Sequence, residues 1–142
     1  MKTLYEATTI AEGGRTGHIT SEDGPLDHNL SVPKSMGGKG GDGTNPEQLF
    51  GAAYAACFGG ALQSVAKNEG IAIDNDALSV TAIIGFCKDD DGFCLEATLD
   101  CYIPGVDLKT GEDLVEKAHE ACPFSKATRD NITVTLNLLL DE

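Results

Sequence analysis

The sequence predicts an α+β fold. Three features carry that reading: two hairpin-like β patterns set apart along the chain, a long apolar helical run between them, and an amphipathic helix followed by an alternating terminal strand. Residues Thr3 to Ile10 and Thr16 to Ser21 are rich in Thr, Ile and Tyr, and "EGGRTG" between them reads as a turn whose glycines supply positive φ. "HNLSVP" adds a short strand, and "MGGKGGDGTNP" is a Gly-rich loop leading into a helix. Asn45 as N-cap, Pro46 at the first helical position and Glu47 in the first turn mark that start; Gly70 marks the stop, after about Asn68. Leu78 to Phe86 and Phe93 to Ile103 favour strand, with "KDDDG" as the turn. "GEDLVEKAHEA" has the acidic first turn and apolar spacing of an amphipathic helix, and Pro123 opens a short last helical turn. Ile132, Val134, Leu136, Leu138 and Leu140 then alternate on one face of a half-buried strand.

The 142 residues suit a single domain, 1–142, and 41% hydrophobic content supplies a core that a partner is expected to share. Against 10 basic side chains stand 23 acidic ones, a net charge of -13 that repels phosphate backbones and anionic lipid, so neither nucleic acid nor membrane is an expected partner. "MKTLYEATTI" has no apolar signal region, and a cytoplasmic location is expected. Five cysteines, Cys57, Cys87, Cys94, Cys101 and Cys122, are an odd number and argue against a disulfide framework. Their spacings lack the short gaps of a zinc knuckle, so no metal is expected.

The stretch "NPEQLFGAAYAACF" raises the question of function. On a helical net Phe50, Tyr54, Cys57, Phe58 and Ala61 share a stripe, which sets one thiol among three aromatic rings. Gly51, Ala55 and Gly59 form a second stripe and Ala52, Ala56 and Gly60 a third, both suited to close approach by another helix. Cys57 reads either as a small core residue or as a reactive thiol. A reactive thiol in an apolar wall needs a nearby cation, because burial raises its pKa. The chain has two arginines, Arg15 in the glycine turn and Arg129 beyond Cys122. Glu47 is the carboxylate suited to orienting an inward Arg15, yet it precedes Cys57 by ten residues, about 15 Å of helix rise. A site holding both needs either a long path through Arg15 or a glutamate from a second subunit. Each of these charged side chains also has a plain reading, as a solvated arginine or a glutamate matching the helix dipole.

"ACPFSKAT" places Cys122 before Pro123 at a helix start, where backbone dipoles favour a thiolate. By local physics Cys122 is the more acidic thiol. His119, one turn earlier, reads as its base or as a solvated histidine. Gly38, Gly40 and Gly43 satisfy G-x-G-x-x-G, but no βαβ unit brackets them, so a lid or a chain path across the site fits better than dinucleotide binding. Cys87, Cys94 and Cys101 read as packing thiols.

"GGRTG", "SEDGPL", "GGKGGDGTNPEQLFGAAYAACF" and "ACPFSKATR" together resemble the organic hydroperoxide resistance (Ohr) branch of the Ohr/OsmC family, across essentially the whole chain. The resemblance implies antiparallel sheets wrapped around long central helices in an intertwined homodimer, with active sites at the subunit interface. It implies Cys57 as the peroxidatic cysteine, Cys122 as the resolving one, and Arg15 and Glu47 as their charged support. No cofactor is implied, and the reductant is a dihydrolipoyl dithiol or lipoylated protein. The expected activity is reduction of alkyl and lipid hydroperoxides to alcohols through a Cys57 sulfenic acid and a Cys57–Cys122 disulfide. Phe50, Tyr54 and Phe58 are the expected substrate-binding wall, favouring bulky apolar peroxides over hydrogen peroxide. A non-catalytic carrier of hydrophobic ligands and a thiol redox sensor are the alternatives.

Overall fold

The computed structural model describes residues 1–141. The chain divides into two compact units, Met1–Leu49 and Phe50–Glu142, and the boundary falls within the long helix.

The first unit is built on a three-stranded antiparallel sheet of β1 (Thr9–Glu12), β2 (His18–Ser21) and β3 (Asp27–Asn29). The first strand lies later than the composition suggested. Its register begins at Thr9↔Ser21, where β2 ends; beyond it the Thr8 carbonyl accepts from the Glu22 N–H at 2.9 Å, and Leu4 and Tyr5 are exposed. The glycine turn forms as expected: Gly13 (φ 78°) and Gly14 (φ 61°) take left-handed conformations, and a single 3-10 turn, Gly14–Thr16, carries Arg15. The Gly-rich loop is stitched back onto the segment after β3 rather than left as a lid. Leu30 bridges Thr44, the Gly43 N–H donates to Ser31 Oγ at 2.8 Å, and the Gly40 N–H donates to the Val32 carbonyl at 2.9 Å. The loop ends where Asn45 Oδ1 accepts from the Gln48 N–H at 2.8 Å, the predicted N-cap of α1 (Pro46–Asn68).

In the second unit α1 stops at Gly70 (φ 70°) in a Schellman arrangement, with the Ile71 N–H on the Ala66 carbonyl and the Gly70 N–H on the Lys67 carbonyl. β4 (Ser79–Asp89) and β5 (Gly92–Tyr102) make the second hairpin, α2 (Leu108–Ala121) and α3 (Pro123–Thr128) follow, and β6 (Thr133–Leu139) closes the sheet in the order β4-β5-β6. α2 begins one turn earlier than its apolar spacing suggested, because Asp107 caps it by accepting from the Thr110 N–H at 2.8 Å. The sheet is not antiparallel throughout: β6 runs parallel to β5, from Glu96↔Thr133 to Tyr102↔Leu139. The α2–α3 crossover lies between those strands and returns the chain to the starting end of β5, so β6 enters in the same direction.

The core of this unit lies between one face of α1, one face of the sheet and α2. Tyr54, Phe58, Leu62 and Ala66 come from α1, Ala97, Leu99 and Cys101 from β5, and Leu114, Val115 and Ala118 from α2. Each large side chain so buried contributes about 1.5–3 kcal/mol. α1 is apolar and long enough to cross a membrane by length and composition, but Tyr54, Phe58, Leu62 and Ala66 on it belong to this core. One of the two small-residue stripes admits the sheet instead of a second helix: a Cβ on Gly51 would lie 3.1 Å from Ile84 Cγ1, and one on Gly59 3.9 Å from Val80 Cγ2. The approach at Gly51 leaves little room for a side chain, whereas the contact at Gly59 is of ordinary length.

Candidate active site

The chemistry-bearing residues form two clusters, one in each unit. In the first, the 3-10 turn aims Arg15 at Glu47 in the first turn of α1. Arg15 donates from Nη1 to Glu47 Oε2 at 3.0 Å and from Nη2 to Oε1 at 2.7 Å, a bidentate fork. These hydrogen bonds hold the Glu47 carboxyl below its ordinary range against the opposing effect of burial, and they hold the guanidinium above its own. Two chain segments 32 positions apart thereby fix one cation in one orientation.

In the second unit Cys57, on α1, faces Cys122, the residue joining α2 to α3. Their sulfurs lie 3.6 Å apart, within thiol hydrogen-bond reach, and both thiols are reduced. Cys122 is fully buried and Cys57 keeps some exposure. Burial pushes the Cys57 thiol up, Cys122 pushes it further, and the Phe124 backbone N–H pulls it back. Among the described residues of its own unit the balance at Cys57 favours the thiol over the thiolate. Arg129 does not offset this, since its Nη2 donates to the His119 carbonyl at 2.6 Å.

The short helix that begins after Cys122 is tied to α1 by a buried polar network. The Tyr54 hydroxyl lies 2.8 Å from Ser125 Oγ and 3.1 Å from Thr128 Oγ1, and all three side chains are buried. His119 Nδ1 joins it at 2.9 Å from Ser125 Oγ. His119 is thus neither a solvated histidine nor, in this arrangement, bonded to Cys122; burial, then the Arg129 charge, hold its pKa below the ordinary value, while Glu120 works the other way. Sequence reasoning missed this network. A tyrosine on the buried face of a helix needs a partner for its hydroxyl, which was the available signal, but its partners lie 71 and 74 positions away.

Of the three aromatic residues, Tyr54 and Phe58 have no exposed surface, and Phe50 keeps some. Phe50 meets Tyr54 edge-on at 6.0 Å, and Phe124 packs on Tyr54 at 6.0 Å from the other chain segment. Among the described residues no group of three or more His, Cys, Asp and Glu side chains is arranged to hold a metal ion.

Residues 38–137 match a family described as OsmC-like protein. An organic hydroperoxide resistance protein from Xanthomonas axonopodis pv. citri is 47% identical over 137 residues, 96% of each chain. The chain belongs to the OsmC-like family. Among solved structures, OsmC-like relatives share its architecture as well as its sequence. The organic hydroperoxide resistance protein of Elizabethkingia anophelis superposes with a TM-score of 0.92 at 44% identity, covering 99% of this chain and 100% of that one. OhrB of Bacillus subtilis, named an organic hydroperoxide resistance protein, gives 0.87 at 45% identity, covering 96% and 100%. The α+β fold is therefore the Ohr/OsmC fold.

Proposed function

We propose that the chain is a cysteine-based peroxidase that detoxifies organic hydroperoxides. The observation that carries the proposal is the 3.6 Å separation of two thiols that the sequence holds 65 positions apart, in a chain whose relatives are named for organic hydroperoxide resistance. The Cys57 thiolate attacks the outer oxygen of ROOH. An S–O bond forms, the O–O bond breaks, and RO⁻ takes a proton and leaves as the alcohol. Cys122 then attacks the sulfenic sulfur, water leaves, and the sulfurs close from 3.6 Å to the roughly 2.05 Å of a disulfide. A dihydrolipoyl dithiol, free or protein-bound, reopens that bond by exchange and leaves as the cyclic disulfide.

The proposal gives Arg15 the task of stabilising the Cys57 thiolate and Glu47 that of fixing the guanidinium, a division supported by their bidentate pairing. It gives Phe50 the role of contacting the alkyl group, with Tyr54 and Phe58 as the packed layer behind it, and so favours bulky apolar peroxides over hydrogen peroxide. It includes a homodimer, a cytoplasmic setting and no cofactor.

The test follows loss of free thiols, and recycling by dihydrolipoamide, after cumene hydroperoxide is added to the wild type, Cys57→Ser and Cys122→Ser. With peroxide equimolar to protein, turnover by the wild type, arrest of Cys122→Ser at a sulfenic acid and no recycling turnover by Cys57→Ser are expected. Repeated, dihydrolipoamide-recycled peroxide turnover by Cys57→Ser would overturn the assignment, and an inert wild type would overturn the activity.

A further inference from the structure

The three remaining cysteines do not share one environment. In the β4–β5 hairpin Cys87 is paired directly with Cys94, while Cys101 pairs with Val80. The seven-residue spacing between Cys94 and Cys101 is odd, so on one strand they point to opposite faces. Ala97, Leu99 and Cys101 are buried against α1 and α2, and Val80, Ala82 and Ile84 pack on the same side. Cys87 and Cys94 therefore lie on the other face of the sheet, two pairs from the Asp90–Asp91 turn, and both are partly exposed. Residues directly opposite in an antiparallel pair have Cα atoms about 4.5–5.5 Å apart. A disulfide needs about 4.4–6.8 Å. The register thus brings the two Cα atoms into the range that a disulfide spans.

We propose that Cys87 and Cys94 are a second redox pair, which an excess of organic hydroperoxide closes into a cross-strand disulfide on the outer face of the hairpin. One thiolate attacks the outer oxygen of ROOH, forming S–O as O–O breaks, and the alcohol leaves. The opposite thiol then attacks that sulfur, forming S–S and expelling water. Two electrons and two protons pass from the thiols, giving ROH, H₂O and the disulfide. The reaction is slow, because burial disfavours both thiolates first and the neighbouring carboxylates add to it, Glu96 beside Cys87 and Asp89 beside Cys94. Closure clips the hairpin tip, so that the pair records a peroxide load. The step needs neither Cys57 nor Cys122 and stands apart from the peroxidase reading.

Proteolysis reads the bond directly. Trypsin cuts after Lys67, Lys88 and Lys109, which leaves Cys87 in residues 68–88 and Cys94 in residues 89–109; cleavage after Glu96 then parts Cys94 from Cys101. Wild type, Cys57→Ser and Cys87→Ser are treated with excess cumene hydroperoxide, alkylated with N-ethylmaleimide and digested. Wild type and Cys57→Ser are expected to yield the Cys87 peptide joined to the Cys94 peptide, with loss of both maleimide adducts; Cys87→Ser yields none and keeps its wild-type peroxide turnover. Maleimide on both cysteines, a link to Cys101, a link between two chains, or a bond that forms only when Cys57 is present would each overturn the proposal.

Discussion

The Tyr54 hydroxyl, with no exposed surface, lies 2.8 Å from Ser125 Oγ and thereby joins the thiol-bearing helix α1 to the helix that begins after the second thiol. Cys57 lies one turn beyond Tyr54 on α1, and Cys122 sits three positions before Ser125. The tyrosine thus holds the two backbones from which the sulfurs project.

Tyr54→Phe keeps the ring and removes the hydroxyl. Ser125 retains His119 as a partner, and Thr128 retains the Ser125 carbonyl, to which its hydroxyl donates at 3.2 Å. The loss should therefore fall near the low end of the about 1–3 kcal/mol for a buried unsatisfied group. A fall in Tm of about 2–4 °C per kcal/mol is expected in a thermal melt. A melt unchanged from wild type would show that the network does not hold α3.

His119 makes stability depend on pH with a defined sign. Its folded pKa is depressed, first by burial, so between that value and the unfolded value of about 6.5 the unfolded chain binds more protons and stability rises with pH. The contribution is complete above about pH 6.5 and is lost as pH falls towards the folded pKa. His18 acts in the opposite sense, since Asn29 and then Asp27 raise its pKa. The difference between wild type and His119→Gln in urea midpoint, measured from pH 5 to 7.5, isolates the former; a difference that grows more favourable to wild type as pH falls would refute the sign.

Glu47 supplies a second, more acidic window. Its folded pKa is lowered by the Arg15 hydrogen bonds, so the contribution of the pair is complete above the ordinary carboxylate value and disappears as pH falls through the folded one. Glu47→Gln should flatten this part of the acid limb. Acid titrations of the wild type and variant followed by circular dichroism should diverge above the ordinary carboxylate range and converge at the acid end. Parallel curves would mean that the ion pair contributes nothing to folding.

The glycine turn that carries Arg15 makes a contrast between neighbours. A Cβ at Gly17 would lie 1.7 Å from the Glu12 carbonyl oxygen, whereas one at Gly14 meets nothing within 4 Å. Gly14→Ala should cost about 1–2 kcal/mol, for the left-handed backbone alone. Gly17→Ala should cost at least the about 3 kcal/mol at the top of the overpacking range, because backbone rather than a flexible side chain must yield. Urea midpoints compare the two, and equal losses would contradict the close approach.

Much of this architecture was legible because its signals are local. The cap at Asn45, the stop at Gly70, the turn glycines and the alternation of Val134, Leu136 and Leu138 are each set within a few residues, whereas Ile132 and Leu140 fall outside β6 and Leu140 is exposed. The four charged and sulfur-bearing candidates were legible from residue types and from the resemblance, and the structure pairs them as Arg15 with Glu47 and Cys57 with Cys122.

What the sequence determined by itself is the set of elements, their order and the acidic charge of the chain. Only the tertiary structure decided which partners those elements meet. It put Tyr54 against Ser125, turned the Gly51 stripe towards β4, ran β6 parallel to β5 and set Cys87 opposite Cys94 while Cys101 went into the core. Such contacts follow from strand register and from the packing of segments dozens of residues apart. A one-residue slip in register reverses which face a side chain takes, so no short window of sequence contains the answer.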